Sequence, residues 1–453
     1  MMNFNEDSEE KLEEDSRNLM ETIEQAMRSP TEFSEDQILT QVADLCAMIY
    51  SYNKKEIFEQ LATRGINIIP YILKNIKTAG LEVKRETLYG LCSAIERSPA
   101  FLTIEDAQAV WALIQENCHR EVAIARWRLD DVREWLIRAY RLLWEKRRDL
   151  IPDALQRLIP IDVKQLKAFN SHLILYKEIL GPLSQFGLTI TFPSNWVGGT
   201  DTWLLWIDPA LLDKLLEDLL HPDLLLAELK KKSSYREADW QVRECNWDML
   251  SMVQALRTAF RGAPILLTEE RLAHLITLAE THRSDVIDSI ILIMLHEAMG
   301  SRPELMTPNI TRVLLFLTAP QSKVREGGIT FFIKLLQTCP QLMTEEAVHR
   351  LTDSFSDDSL GVQWALLQLN QVLLTVMPQF FNEASYAHLS KSLSNPHWIF
   401  RWQALLTFDL LIEQDPSLIR EPEVDQISAL TSDPNRYIKA AAEATYTRLK
   451  GRV

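Results

Sequence analysis

Nine histidines carry the most versatile side chains in this chain, and their spacing argues against their working together. They are His119, His172, His221, His274, His282, His296, His349, His388 and His397, with no two three or four residues apart. One helix face can offer two ligands to a metal only at such spacings, so no zinc face is expected. His296-Glu297 lacks the second histidine of a zinc-protease helix. The five cysteines (Cys46, Cys92, Cys118, Cys245, Cys339) are scattered and form no C-x-x-C pair, which excludes a disulfide framework or a zinc knuckle. There is no G-x-S-x-G elbow, and Gly198-Gly199 alone does not make a phosphate loop. Acids cluster at helix starts and turns, where the helix dipole and solvation account for them. The expectation is a protein with no metal, no cofactor and no catalytic residue.

Two constellations have the chemistry of binding instead. The window 120–148 interleaves nine bases, from Arg120 to Arg148, with Trp127, Trp135, Tyr140 and Trp144. Arginine among aromatics can hold a nucleic-acid backbone and stack its bases. Acids share the window, however, and Arg126 with Asp130 and Glu134 with Arg138 stand at the helical pairing distance of four. A salt-bridged surface helix is the favoured reading. The second constellation is Trp364 and Trp402, 38 residues apart, with Trp398 one turn before Trp402 and His397 and Arg401 beside it. Trp364, Trp398, Arg401 and Trp402 are the candidate partner-binding residues. The competing reading makes these tryptophans a second flank packed on the next repeat.

The elements that position these residues repeat. Leu275, Val313, Leu351, Leu389 and Ile427 form one apolar comb of spacing 38. Val286, Val324, Val362, Phe400 and Ile438 form a second, and Ile290, Gly328, Leu366, Ala404 and Ala442 a third. Three combs in step mean stacked supersecondary units. In the unit 344–381, Thr344 with Glu345 and Glu346 caps a first helix through Val348, Leu351 and Phe355. Ser356-Asp357-Asp358 breaks the chain, and a second helix from near Leu360 carries Val362, Leu366, Leu369 and Leu373. Pro378 ends the unit. The same punctuation recurs at Asn395-Pro396 and Asp433-Pro434 between helices. It recurs between units at Pro303-Glu304-Leu305-Met306, Pro340-Gln341-Leu342-Met343 and Pro416-Ser417-Leu418-Ile419.

With Asp433-Pro434 followed by Ile438-Lys439-Ala440-Ala441-Ala442, and with Val324-Arg325-Glu326, this pattern resembles the HEAT family of helical repeats (ARM/HEAT superfamily). It departs at Phe400-Arg401-Trp402 and Val362-Gln363-Trp364. The resemblance implies an all-α fold, an α-solenoid of HEAT-like helix pairs. It also implies that second helices line an inner curve where the tryptophans would form a ladder. Val83-Lys84-Arg85-Glu86 with Pro99, Val132-Arg133-Glu134 and Val242-Arg243-Glu244 extend irregular copies toward residue 37. Leu188-Thr189-Ile190-Thr191-Phe192 and Trp203-Leu204-Leu205-Trp206-Ile207 alternate, which predicts a small β-hairpin or loop insertion near 188–207. Its Trp196, Trp203 and Trp206 are either a cap on helix surface or anchors for a partner. The expected division is 1–36, an acidic tail and first helix; 37–150, irregular repeats; 151–238, an insertion; and 239–453, the regular repeats.

Net charge is −15 over 453 residues, with 47% hydrophobic residues and only 13 glycines, a helical composition. Residues 1–36 carry 12 acids and 3 bases, and residues 268–453 carry 22 acids and 16 bases. Neither region offers a broad phosphate-binding surface, so nucleic acid is not expected as a partner. No apolar run reaches the roughly 18 residues of a membrane span, and the acidic start is unlike a secretory signal. A cytoplasmic, non-enzymatic scaffold or adaptor with a protein partner is the expectation, its oligomeric state open. The alternative is an enzyme or nucleic-acid-binding protein on the same scaffold, resembling the alkylpurine DNA glycosylases or the bilin lyases.

Overall fold

The computed structural model describes residues 6–29, 31–118, 126–173, 183–191, 202–221, 238–281 and 284–452. Trp196, Gly198-Gly199 and Lys230-Lys231-Lys232 lie outside them. The chain divides into two compact units, Met1–Leu212 and Asp213–Val453.

In the first unit the acidic run does not precede a helix but forms one. Helix α1 (Glu6–Arg28) starts with it, because glutamate is a good helix former and acids suit the positive end of the helix dipole. Its Met20, Ile23 and Ala26 are buried, and α1 packs on α2 (Glu35–Tyr52). Ser34 opens α2 with a capping box: the Gln37 N–H donates to Ser34 Oγ at 3.3 Å and the Ser34 N–H to Gln37 Oε1 at 2.7 Å. Then come α3 (Glu56–Thr63), α4 (Ile69–Ala79), α5 (Arg85–Arg97), α6 (Ile104–Cys118) and α7 (Arg126–Lys146). Helices α2, α5 and α7 pack in succession, as second helices of a stack do. Val132 is buried but is the seventh residue of α7, so the Val-Arg-Glu triplet there does not mark a helix start. Short helix α8 (Asp153–Gln156) and helix α9 (Val163–His172) follow.

The hairpin is present. Strand β2 (Thr189–Thr191) pairs antiparallel with β3 (Thr202–Leu204) in the register Ile190 to Trp203, and β1 (Ile159–Pro160) pairs with β4 (Trp206–Ile207). Trp206 is buried and meets Tyr140 of α7 edge-on at 5.1 Å between ring centroids, so it covers helix surface. The side chain of Trp203 is not among those described. Helix α10 (Pro209–Leu220) carries the chain across the division between the units.

The second unit is a file of helix pairs. Helix α11 (Ala238–Gly262) leads into α12 (Glu269–Thr281) and α13 (Asp285–Ser301). A 3-10 helix (Pro308–Thr318) and α14 (Ser322–Thr338) make the next pair, followed by α15 (Glu345–Asp353) with α16 (Leu360–Val376). Helices α17 (Glu383–Leu393) with α18 (Trp398–Gln414), and α19 (Glu421–Leu430) with α20 (Arg436–Arg452), complete it. Second helices pack on second helices from α11 through α20, and first helices on first helices. All five members of the first comb have zero exposure. The second comb holds at Val324, Val362, Phe400 and Ile438, each the third residue of its helix, and fails at Val286, which is 54% exposed. Helix α13 begins one residue out of step, at Asp285, so Ile287 takes the third position and is buried.

One backbone corner recurs at three junctions between pairs, while Ala263 and Asp415, before Pro264 and Pro416, are more open at ψ 82° and 97°. The cap residues Arg302, Cys339 and Met377 have φ/ψ of −140/58°, −139/58° and −141/63°, each followed by a three-residue 3-10 turn starting at proline. Proline suits that place because its ring presets φ and the turn needs no donor there. The first unit repeats the corner at Ser98-Pro99 and, without proline, at Arg147-Arg148.

Candidate partner-binding surfaces

The four sequence-selected residues occupy two different environments. Trp364 and Trp402 are half-buried against the core cluster of Leu367, Phe400, Ala404, Leu405 and Phe408, and Trp364 meets Phe400 edge-on at 5.8 Å. Trp398, the first residue of α18, is 45% exposed. It has two neighbours in kind that the combs did not single out. Leu360, the first residue of α16, is 48% exposed, and Tyr437, the second residue of α20, is 55% exposed. The Trp398 and Tyr437 rings lie 6.4 Å apart at 30°, with the Arg436 guanidinium 4.8 Å from the Tyr437 ring centre. Exposed apolar groups therefore recur at the starts of successive second helices, beside the inter-helix turns. Spacings of 38 and 39 were the available signal, and the extra residue put Tyr437 out of step.

Arg401 is engaged within the chain. Its guanidinium donates to both carboxylate oxygens of Asp433, at 3.0 and 3.2 Å, and to the carbonyls of Asn395 and Pro396 at 2.8 and 3.0 Å. The same clamp exists two repeats earlier. Arg325 holds Asp357 at 2.6 and 3.1 Å and the carbonyls of Ala319 and Pro320, both at 2.8 Å. Each arginine thus ties its own inter-helix turn to the turn of the next pair through a bidentate, charge-assisted contact. The turn carboxylates also close Asx turns just before the helix that follows: Asp357 accepts from the Ser359 N–H at 2.9 Å and Asp433 from the Asn435 N–H at 2.8 Å. Burial pushes the Asp357 carboxyl up, but the Arg325 guanidinium and the Ser359 N–H outweigh it and hold it below the ordinary range. Helix pairs of one period, joined by a recurring corner and clamped turn to turn at two places, decide the architecture.

The fold is ARM/HEAT-like. No family profile matches the chain, and no curated protein matches it. Among solved structures it is similar to an engineered protein, at 11% identity over 95% of this chain and 98% of that one, with a TM-score of 0.37. A designed armadillo repeat protein is similar at 12% identity over 52% of this chain and 99% of that one (TM-score 0.35). Kap121p is similar at 12% identity over 97% of this chain and 40% of that one (TM-score 0.40).

The first unit of this ARM/HEAT-like chain gathers part of the arginine-aromatic window into a cleft. Tyr50 of α2, Tyr89 of α5 and Trp135 of α7 form an edge-to-face row, with centroids 5.3 and 5.9 Å apart. The cleft beside them has a volume of about 560 Å³, and Arg138, Arg141, Asp162 and Lys164 line it further. Arg141 is bound to Glu145 at 2.8 Å and to Asp162 at 2.9 Å, which supports the salt-bridged reading for that residue. Arg138 instead lies over the Trp135 ring at 5.2 Å.

Two polar clusters sit inside the repeats. Asn370 is fully buried, and its amide donates to the Ser385 carbonyl at 3.2 Å and faces His388 Nδ1 at 3.3 Å. His388 stacks on Phe355 at 4.6 Å. Burial first, then Lys391, lowers its pKa to about 4. Glu423, also buried, accepts from the Tyr386 hydroxyl at 3.0 Å and from Ser390 at 2.6 Å, pinning α17 to α19. Among the described residues no cluster of His, Cys, Asp or Glu is arranged to hold a metal, and no helix is long and apolar enough to cross a membrane.

Proposed function

We propose that this chain is a non-enzymatic scaffold that binds a protein partner along the starts of its second helices in the C-terminal unit. The observation that carries this reading is the row Leu360, Trp398 and Tyr437, exposed at the first or second residue of three successive second helices. Large apolar side chains at 45–55% exposure are what interface anchors are made of. Trp364 and Trp402 support the row from beneath, since they pack on the core that fixes these helices. Arg401 contributes by fixing the turn from which Trp398 projects, with its charge already satisfied by Asp433.

The test is affinity capture of the intact chain from its native cells, read by mass spectrometry and compared across variants. Trp398→Ala with Tyr437→Ala should abolish capture of a specific protein without lowering the unfolding temperature. Trp364→Ala with Trp402→Ala should lower that temperature, because each removes packed aromatic volume. Undiminished capture by the Trp398/Tyr437 variant would place the partner elsewhere.

A further inference from the structure

We propose that the cleft between α2, α5 and α7 is a second, independent binding site, for an acidic peptide bearing an aromatic or large aliphatic side chain. Its shape comes from the stack: Tyr50 of α2 and Trp135 of α7 line it, bridged by the Tyr89 ring of α5 that both meet, and Tyr50 at the edge is 37% exposed. A row of aromatic edges and faces with about 560 Å³ of space beside it accepts a side chain of similar kind.

Charge decides the rest. The lining holds four cations (Arg85, Arg138, Arg141, Lys164) and three carboxylates (Glu134, Glu145, Asp162). Arg141 satisfies Glu145 and Asp162 together, and Asp162 also caps α9 through the Lys164 N–H at 2.8 Å. Glu134 and Arg85 have contacts within the chain as well. Arg138 and Lys164 are exposed and make no ion pair among the described residues. Among the described residues lining the cleft, the charge left without an ion pair is therefore positive. Arg138 also acts on Glu96, but Lys55 already binds that carboxylate at 3.0 Å, and the Arg138 guanidinium is oriented by its stacking on Trp135. A carboxylate placed there gains a preorganised donor fork. Two cations that make no ion pair among the described residues suit the side chains of an acidic peptide. A nucleic-acid strand, which binds through many phosphates at once, would need more.

The experiment selects binders to the intact protein from a displayed library of short random peptides, then titrates the selected peptide by fluorescence anisotropy. The selected sequences should pair Asp or Glu with an aromatic or large aliphatic residue. Arg138→Glu, Lys164→Glu and Tyr50→Ala should each weaken binding about tenfold or more. Arg436→Glu, in the other unit, should leave it unchanged, which separates this site from the Trp398 row. All variants should unfold at nearly the wild-type temperature, as the altered side chains are exposed. Selection of basic or neutral sequences, or affinity indifferent to all three cleft changes, overturns the proposal. So does a single-stranded oligonucleotide that binds at moderate salt and is lost with the same variants while no acidic peptide binds.

Discussion

Arg401 and Arg436 are both basic residues near Trp398, yet they should behave oppositely when truncated. Arg401 and Asp433 have side chains only 14% and 6% exposed, so Arg401→Ala strands a carboxylate and two turn carbonyls. A loss of about 3 kcal/mol in chemical denaturation is expected. Arg436 is exposed at a helix start, and Arg436→Ala should change stability little. His388 gives the molecule a pH dependence of known sign. Its pKa falls from 6.5 unfolded to about 4 folded, so between those values the unfolded chain holds more protons. Stability is then complete above pH 6.5 and declines as pH falls toward 4, by up to about 3 kcal/mol. The Asn370 amide facing Nδ1 has the same effect, since protonation there would set donor against donor. Half-buried acids such as Asp357, whose pKa is lowered, lose their contribution at lower pH. Urea denaturation of the wild type and His388→Asn across pH 4 to 6.5 isolates the histidine: the slope should flatten in the variant.

At the scale of helices, close packing singles out one glycine over another. A methyl group at Gly90 of α5 would overlap Cys46 Sγ of α2, both buried where the two helices meet. Gly90→Ala should cost about 2 kcal/mol by forcing those helices apart. At Gly361 of α16 the added methyl would meet only the end of the Glu326 side chain, which can swing away. Gly361→Ala should be neutral or slightly stabilising through its helix propensity, and thermal unfolding of the pair checks both. These helices were largely readable from residues, because burial at one comb per helix forces a fixed period. Leu275, Val313, Leu351, Leu389 and Ile427 are all completely buried, and the break at Ser356-Asp357-Asp358 falls between α15 and α16. Val286 misled because a helix start can slip by one residue with no change in composition. The candidate site was less legible. Trp398 and Trp402 are one turn apart and share a helix face, yet one projects at the turn and the other is covered by the core. That difference depends on where the neighbouring helix ends, which no local spacing encodes.

For the molecule as a whole, the central claim is that the C-terminal unit is a one-dimensional stack, each pair held only by its neighbours. Such a stack loses stability locally. Ile427 of α19 is completely buried, and Ile427→Ala should remove about 3 kcal/mol of packing from the last pair. Native-state hydrogen exchange on the full chain, with and without that change, reads where the loss goes. Protection should fall in α19 and α20, fall less in α17 and α18, and stay at the wild-type level in α12 and α13. An equal loss of protection from α11 through α20 would contradict the stack and show the unit to be one globular core.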